Sequence, residues 1–353
     1  MSQERILTAG NEAAGEAAIH AGCRFYYGYP ITPQNELTAH MARRMPEVGG
    51  TFIQAESEIA AINMVLGTAA TGRLAMTSSS SPGISLKQEG ISYLVGCELP
   101  AVVINVQRGG PGLGDISPAQ GDYFQAVKGG GHGDYNLIVL APDSVQETYD
   151  LTRLAFELAA KYRTVVMILS DARVGQLMEP AVFRGPVEDD PDPKPWALTG
   201  AKGRPRNIVR SFFLKPGLLA EHNERLQAKF RRVRETEVRF EEIDVEDADA
   251  VLVAYGTSSR VSKEALHLAA EAGLKLGLFR PQTLWPFPTQ RLRQLAERGK
   301  ALLAVEMSAG QMVEDVRLAA EGRAPVGHCG RPGGAVPTTD EVIRAARTLL
   351  GGA

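Results

Sequence analysis

Cysteine is scarce in this sequence. Cys23, Cys97 and Cys329 stand too far apart for a zinc site, an iron-sulfur cluster or a disulfide framework, and are read as reduced thiols of a cytoplasmic protein. Long apolar runs are missing too: no segment approaches about eighteen uninterrupted apolar residues. The opening MSQERILTAGNEAAGEAA has no apolar core of signal-peptide type, so neither export nor membrane insertion is expected. Charge of one sign is not in excess, with 38 basic against 41 acidic residues and a net of −3, so no bulk field favours nucleic acid or a membrane surface. Small molecules or proteins are the expected partners. There is no GxxxxGK[ST] loop and no GxSxG elbow, and RGGPGLG does not fit GxGxxG. His132, in KGGGHGD, has no histidine or cysteine at ligand spacing, so no metal site is expected on this chain.

What is present is a chain of 353 residues, 44% hydrophobic and 22% charged, which suits a soluble globular protein with two cores. Residues 1–172 alternate helical and strand patterns with Gly/Pro punctuation, the mark of an α/β fold with a mostly parallel sheet. Strands are expected near 25–29, 51–55, 74–77, 101–106, 137–140 and 165–169, and helices near 11–21, 34–45, 86–97 and 145–161. The run AVVINV is apolar on both faces, as a central parallel strand should be. Residues 173–245 read as a linker or arm, with VEDDPDPKPW and then KFRRVRETEVRFEE, the latter an exposed helix laced by ion pairs. A second α/β unit follows over 246–353, from AVLVAYG onward.

The polar turns YPITP, TSSSSPGIS and NVQRGGPGLG, together with the junction AESE, all fall at C-terminal ends of expected strands, where open parallel sheets bind ligands. Glu56 and Glu58 lie where a strand meets a helix that Ser57 can cap, so they either complement the helix dipole or serve a site. Arg108 follows a buried strand and precedes two glycines; it either pairs structurally with a carboxylate or grips an anionic substrate. The run Ser78 to Ser81 is either a flexible turn or a set of hydroxyls and N–H groups offered to a ligand.

The segments GYPITPQNEL, FIQAESEIAAINMVLGTAATG, TSSSSPGISLKQEGISYLVGCELP, INVQRGGPGLG and KGGGHGDYNLIVLAPDSVQE resemble the alpha subunit of the 2-oxoacid:ferredoxin oxidoreductases, most of all the branched-chain ketoisovalerate type. The later VLVAYGTSSR, LGLFRPQTLWPFP and AVEMSAGQM resemble the transketolase C-terminal-like domain of the same subunit. The resemblance implies a pyrimidine-type thiamine diphosphate domain. In it Glu58 would hold the ring N1′, Ser80 and Ser81 would lie against the cofactor, Arg108 would clamp the substrate carboxylate, and Thr32 would place a hydroxyl nearby. It also implies coenzyme A-dependent oxidative decarboxylation of a 2-oxo acid, with electrons passed to ferredoxin.

The GDG…N motif that usually holds the diphosphate through Mg²⁺ is missing, and three cysteines cannot hold a cluster. The resemblance therefore implies a beta subunit with the Mg²⁺ site and a small ferredoxin-like gamma or delta subunit with the iron-sulfur clusters. The loop after Arg108 offers no Lys or Arg before Lys128, whereas Leu113, Ile116 and Phe124 suggest an apolar pocket for a branched-chain or aliphatic 2-oxo acid. A 2-oxoglutarate-type alpha subunit and a non-catalytic α/β scaffolding module are the competing readings; a self-contained transketolase-type enzyme is disfavoured by the missing GDG.

Overall fold

The computed structural model describes residues 5–187 and 194–351; the DDPD part of the expected linker lies outside them. Its first sheet runs, edge to edge, through Thr283–Trp285, Ile138–Leu140, Val165–Asp171, Ala101–Gly109, Ala75–Ser79, Phe25–Gly28 and Thr51–Gln54. Along this path every pairing is parallel except that of Thr283–Trp285, which is antiparallel to Ile138–Leu140; off the path, the short strand Asp115–Pro118 pairs antiparallel with the end of Ala101–Gly109. All nine residues of Ala101–Gly109 are buried, which explains the unbroken apolar run at the sheet centre. The crossovers go first one way and then the other along the sheet. Helices Gly10–His20, Asn35–Glu47 and Val145–Tyr162 therefore pack as one layer and Glu58–Ala70 with Ser81–Gly96 as the other.

The second sheet has the order Phe240–Ile243, Leu276–Pro281, Ala250–Ala254, Ala301–Glu306, Val326–Gly330, parallel except at its first strand. The stretch between the sheets carries more regular structure than its proline and charge suggest. Met178–Ala181 pairs antiparallel with Ile6–Ala9, and Leu218–Thr236 is a helix that buries His222, Leu226, Phe230 and Val233. Lys229 of that helix pairs with Glu98 at 2.8 Å, and His222 bonds the Gly96 carbonyl at 2.8 Å, so the charged arm is fastened to the first unit.

The two units meet through satisfied polar groups. Asp171, at the end of its strand, accepts from the N–H groups of Arg173, Val174 and Thr257 and from the Thr257 hydroxyl. Arg280 grips Glu147 with two bonds of 2.7 Å and reaches Glu241 at 2.7 Å.

Candidate active site

The expected turns do meet at the C-terminal edge of the first sheet. The serine run, however, is not a turn: Ser78 and Ser79 end the strand Ala75–Ser79, Ser80 is the N-cap residue, and Ser81 already opens the helix Ser81–Gly96. That direct passage from strand to helix, five residues earlier than the apolar pattern suggests, aims the first helical turn into the crevice. Pro82 in the first turn suits it, since a missing N–H costs nothing where no helical acceptor exists.

Burial separates the two glutamates of AESE. Glu56 is exposed, whereas Glu58 is the first residue of its helix and only 6% exposed. Ser57 caps that helix, its Oγ accepting from the Ala60 N–H at 3.2 Å, so capping does not require either carboxylate. Glu58 itself has no hydrogen-bond partner among the described residues. Its side chain lies across Gly83: a Cβ there would come within 2.1 Å of Ser79 Oγ and 2.7 Å of Glu58 Oε1. Only glycine lets the carboxyl sit between the serine strand end and the facing helix.

One turn beyond Gly83, Lys87 is fully buried, with Nζ donating to Thr77 Oγ1 at 3.0 Å. Burial pulls its ammonium down to about 8, against a smaller opposing pull from the Glu58 charge.

Arg108, 7% exposed near the end of the central strand, donates from Nη1 to the Thr32 carbonyl at 2.9 Å and from Nη2 to the Leu113 carbonyl at 2.8 Å. Its Nε has no partner. Thr32 thus reaches Arg108 through its main chain, while its hydroxyl accepts from Asn35 at 3.2 Å. Ser81 is spoken for: its Oγ accepts the Arg108 N–H at 3.0 Å and donates to Asp122 Oδ2 at 2.6 Å. Ser80 is different, its buried Oγ lacking any partner, as do Ser79 Oγ, Asn105 Oδ1 and both side-chain polar atoms of Gln88.

The first turn of helix Ser81–Gly96 therefore touches Glu58 through Gly83 and Arg108 through Ser81. Around it lies an unusual concentration of buried polar atoms without partners, in a class of molecule where such atoms are normally paired. Lys87, Asn105 and the inward-turned carboxyl of Asp122 escaped the sequence reading, which took Ser79 only as one member of the serine run. Asn105, interrupting AVVINV, was the available signal; Lys87 in a helix reads like any surface lysine. The apolar pocket expected from Leu113, Ile116 and Phe124 does not form within this chain, because Leu113 and Ile116 are 81% and 59% exposed and Phe124 packs onto the core. Lys128 is ion-paired to Asp315.

Residues 16–239 match the family described as "Pyruvate flavodoxin/ferredoxin oxidoreductase, thiamine diP-bdg". The chain belongs to this family. Residues 248–342 match the pyruvate:ferredoxin oxidoreductase core domain II, so the oxidoreductase family accounts for both sheets. Among relatives, the ketoisovalerate oxidoreductase subunit VorB of Methanothermobacter marburgensis is 53% identical over 98% of both chains. The 2-oxoglutarate synthase subunit KorA of Archaeoglobus fulgidus is 41% identical over 89% of this chain and 91% of its own. A solved 2-oxoglutarate:ferredoxin oxidoreductase from Magnetococcus marinus, with 2-oxoglutarate, coenzyme A and succinyl-CoA bound, superimposes with a TM-score of 0.85 at 28% identity; it covers 99% of this chain, which spans 66% of that one. A split-gene transketolase shares the fold alone, at a TM-score of 0.59 and 15% identity. The α/β fold with a thiamine diphosphate-binding parallel sheet is thus that of an enzyme family, and its members named here as subunits work in multi-subunit complexes. Among the described residues no helix is long and apolar enough to cross a membrane, and no cluster of three or more His, Cys, Asp or Glu could hold a metal.

Proposed function

We propose that this chain supplies the pyrimidine side of a thiamine diphosphate site in a 2-oxoacid:ferredoxin oxidoreductase that converts a branched-chain 2-oxo acid, 2-oxoisovalerate foremost, to acyl-CoA, CO2 and reduced ferredoxin. Residues 1–172 would carry the half-site, 246–353 the transketolase C-terminal-like unit, and 173–245 the arm between them. The observation that carries the reading is Glu58, a buried carboxyl without a hydrogen-bond partner among the described residues, at the sheet edge that also holds Arg108. When bound, thiamine diphosphate supplies the carbon nucleophile and electron sink that the decarboxylation of a 2-oxo acid needs.

The residues present fit that group. Glu58 would hold a proton against the pyrimidine N1′, and the orphaned Ser79 and Ser80 hydroxyls would offer polar contacts to the cofactor. Low dielectric strengthens such a bond, and a positioned carboxyl commonly accounts for about 10²- to 10⁴-fold in rate. Arg108 clamps the substrate carboxylate: its guanidinium is already aimed by the Thr32 and Leu113 carbonyls, and Nε remains to be satisfied. Thr32 lines the same end of the crevice. Nothing in this chain is suited to the diphosphate and its Mg²⁺, since GDG is absent, nor to an iron-sulfur cluster. A beta subunit and a small ferredoxin-like subunit would hold these, and water would be excluded from Glu58 on docking.

The branched-chain preference draws on the relative named for ketoisovalerate, and on the loop after Arg108, which has no Lys or Arg before Lys128, itself tied to Asp315. A distal carboxylate left unpaired in such a site would be costly. The relative named for 2-oxoglutarate favours the competing substrate.

Purification with the companion subunits, then kinetics with 2-oxoisovalerate, pyruvate and 2-oxoglutarate using coenzyme A and a low-potential acceptor, tests the reading. The isolated chain should be colourless and inactive. Arg108→Leu in the complex should cost about 2–5 kcal/mol in kcat/KM for every 2-oxo acid, the scale for removing one partner of a buried charge pair. Turnover by the single chain refutes the half-site, a preference for 2-oxoglutarate refutes the substrate assignment, and an indifferent Arg108→Leu refutes the clamp.

A further inference from the structure

Asp122 belongs to the loop that leads from the Arg108 strand end toward the second unit, and its carboxyl is turned inward. Oδ2 accepts from Ser81 Oγ at 2.6 Å and from Asn105 Nδ2 at 2.9 Å, and the Asp122 N–H donates to Gln107 Oε1 at 3.2 Å. Both donors to the carboxyl are neutral. Burial pushes that carboxyl above its ordinary range, with the two bonds opposing it only in part. Through Ser81 the chain of bonds reaches the Arg108 N–H. Asp122 thus braces, at one remove, the main chain that carries the guanidinium.

The loop itself is gripped from the other side. The Gln120 N–H donates to the Met307 carbonyl at 2.9 Å, Gln120 Nε2 to the Tyr255 carbonyl at 2.8 Å, and the Ser258 hydroxyl and Met307 N–H to Gln120 Oε1 at 2.8 and 2.9 Å. Gln311 brackets Asp122: its Nε2 donates to the Gly121 carbonyl at 2.7 Å and its Oε1 accepts the Phe124 N–H at 2.8 Å. Tyr123 donates to Asp315 at 2.6 Å. Every one of these grips comes from residues 255–315, beyond the arm. The residues on either side of Asp122 are therefore held by the second unit, while its carboxyl points into the first.

We propose that Asp122 is a positioning residue through which the second unit fixes the Ser81–Arg108 end of the crevice, and so sets how well the 2-oxo acid carboxylate is received. The proposal rests on the reading of Arg108 as the clamp. It gives the second unit a part in substrate binding.

The experiment uses the complex with its companion subunits. Asp122→Ala should raise KM for the 2-oxo acid about 10- to 100-fold, the scale for a lost hydrogen bond to a charged acceptor, with kcat near that of the wild type. Asp122→Asn, which keeps an acceptor oxygen, should fall between. Ser81→Ala should reproduce Asp122→Ala, and the double variant should be no worse than the poorer single one, because both remove the same link. Gln311→Ala, remote from the crevice, should raise KM in the same direction by less. Calorimetric titration of the 2-oxo acid into complex lacking thiamine diphosphate, where nothing turns over, should rank the variants identically, and thermal midpoints show that each remains folded. Fully additive effects of Asp122→Ala and Ser81→Ala, or an unchanged KM in folded Asp122→Asn and Asp122→Ala, overturn the proposal. An unchanged KM in Gln311→Ala overturns the part given to the second unit. If Arg108→Leu is itself without effect, the clamp reading fails first; if Arg108→Leu is damaging and the Asp122 variants are not, only the bracing role falls.

Discussion

The crevice edge and the interface between the two sheets are both buried and both rich in polar side chains, yet they treat those side chains in opposite ways. At the interface most grips are closed: Asp171 collects four donors, Arg280 is shared between Glu147 and Glu241, and Gln120 uses both ends of its amide, while the Tyr255 hydroxyl alone of this group is without a partner. At the crevice Ser79, Ser80, Asn105 Oδ1 and Arg108 Nε are left over, Glu58 has no hydrogen bond among the described residues, and Lys87 is buried as an ammonium with a single hydroxyl acceptor. Polar groups satisfied within a chain stabilise its fold; polar groups left unsatisfied cost stability and are available to something else. The difference marks which buried polar cluster is structural and which is a site.

The comparison can be broken most forcefully at Glu58. Glu58→Gln in the assembled complex should lower turnover by about 10²- to 10⁴-fold, while Glu56→Gln, on an exposed carboxylate, should cost far less. Steady-state rates decide it, and the reverse order would move the assignment to the other glutamate. At the interface, Asp171→Ala strands buried donors of both units and should destabilise the chain by at least about 3 kcal/mol, read from denaturant unfolding; a loss below about 1 kcal/mol would show the interface to be as unsatisfied as the crevice.

Lys87 gives a test of opposite sign. Its folded-state value of about 8 lies below the ordinary 10.5, so between those values the unfolded chain binds the extra proton and stability rises with pH. The cost is fully present below about pH 8 and is relieved on going toward 10.5. Lys87→Met should therefore stabilise the chain below pH 8, by on the order of 3 kcal/mol, with the gain shrinking above it. A pH-independent difference would mean that the amine is not buried as an ammonium. The smallest effect should come from Ser80→Ala, which removes no internal hydrogen bond and should leave the stability of the free chain within about 0.5 kcal/mol. Cofactor affinity of the complex should fall, which calorimetry can follow.

Much of the first sheet was readable because its strands are continuous apolar runs and its helices carry clear periodicity; Ala101–Gly109 and Val145–Tyr162 are the plainest cases. The AESE junction was readable as a strand-to-helix passage; which of its glutamates is buried was not, and Glu58 was singled out by resemblance alone. Other features were hidden for physical reasons. The serine run looks like a loop because serine favours caps and turns, and tertiary partners hold it in place: strand pairing with Ile104 and Asn105, the bonds of Ser78 to Gln34 and Tyr26, and those of Ser81 to Arg108 and Asp122. Lys87 is invisible because helical spacing does not tell an inward lysine from an outward one. Leu113 and Ile116 looked like a pocket lining because apolar residues usually go inside, yet a loop tip beside a site can leave them exposed. The helix Leu218–Thr236 buries only a narrow stripe, so its charges dominate its appearance in sequence.

The antiparallel strand Thr283–Trp285 also bears on how the protein is made. The edge strand Ile138–Leu140 finds its outer neighbour only in residues that lie roughly a hundred positions further along than the last parallel strand of the sheet. At ordinary synthesis rates that is a delay of about 5 to 20 s on the ribosome. During it a short, fully apolar strand stands with one side of its backbone unpaired, the state in which chains adhere to one another. Any shortened version of the protein that stops after the arm would keep that edge open permanently, so dissecting the chain into its two halves should yield an N-terminal piece prone to aggregation.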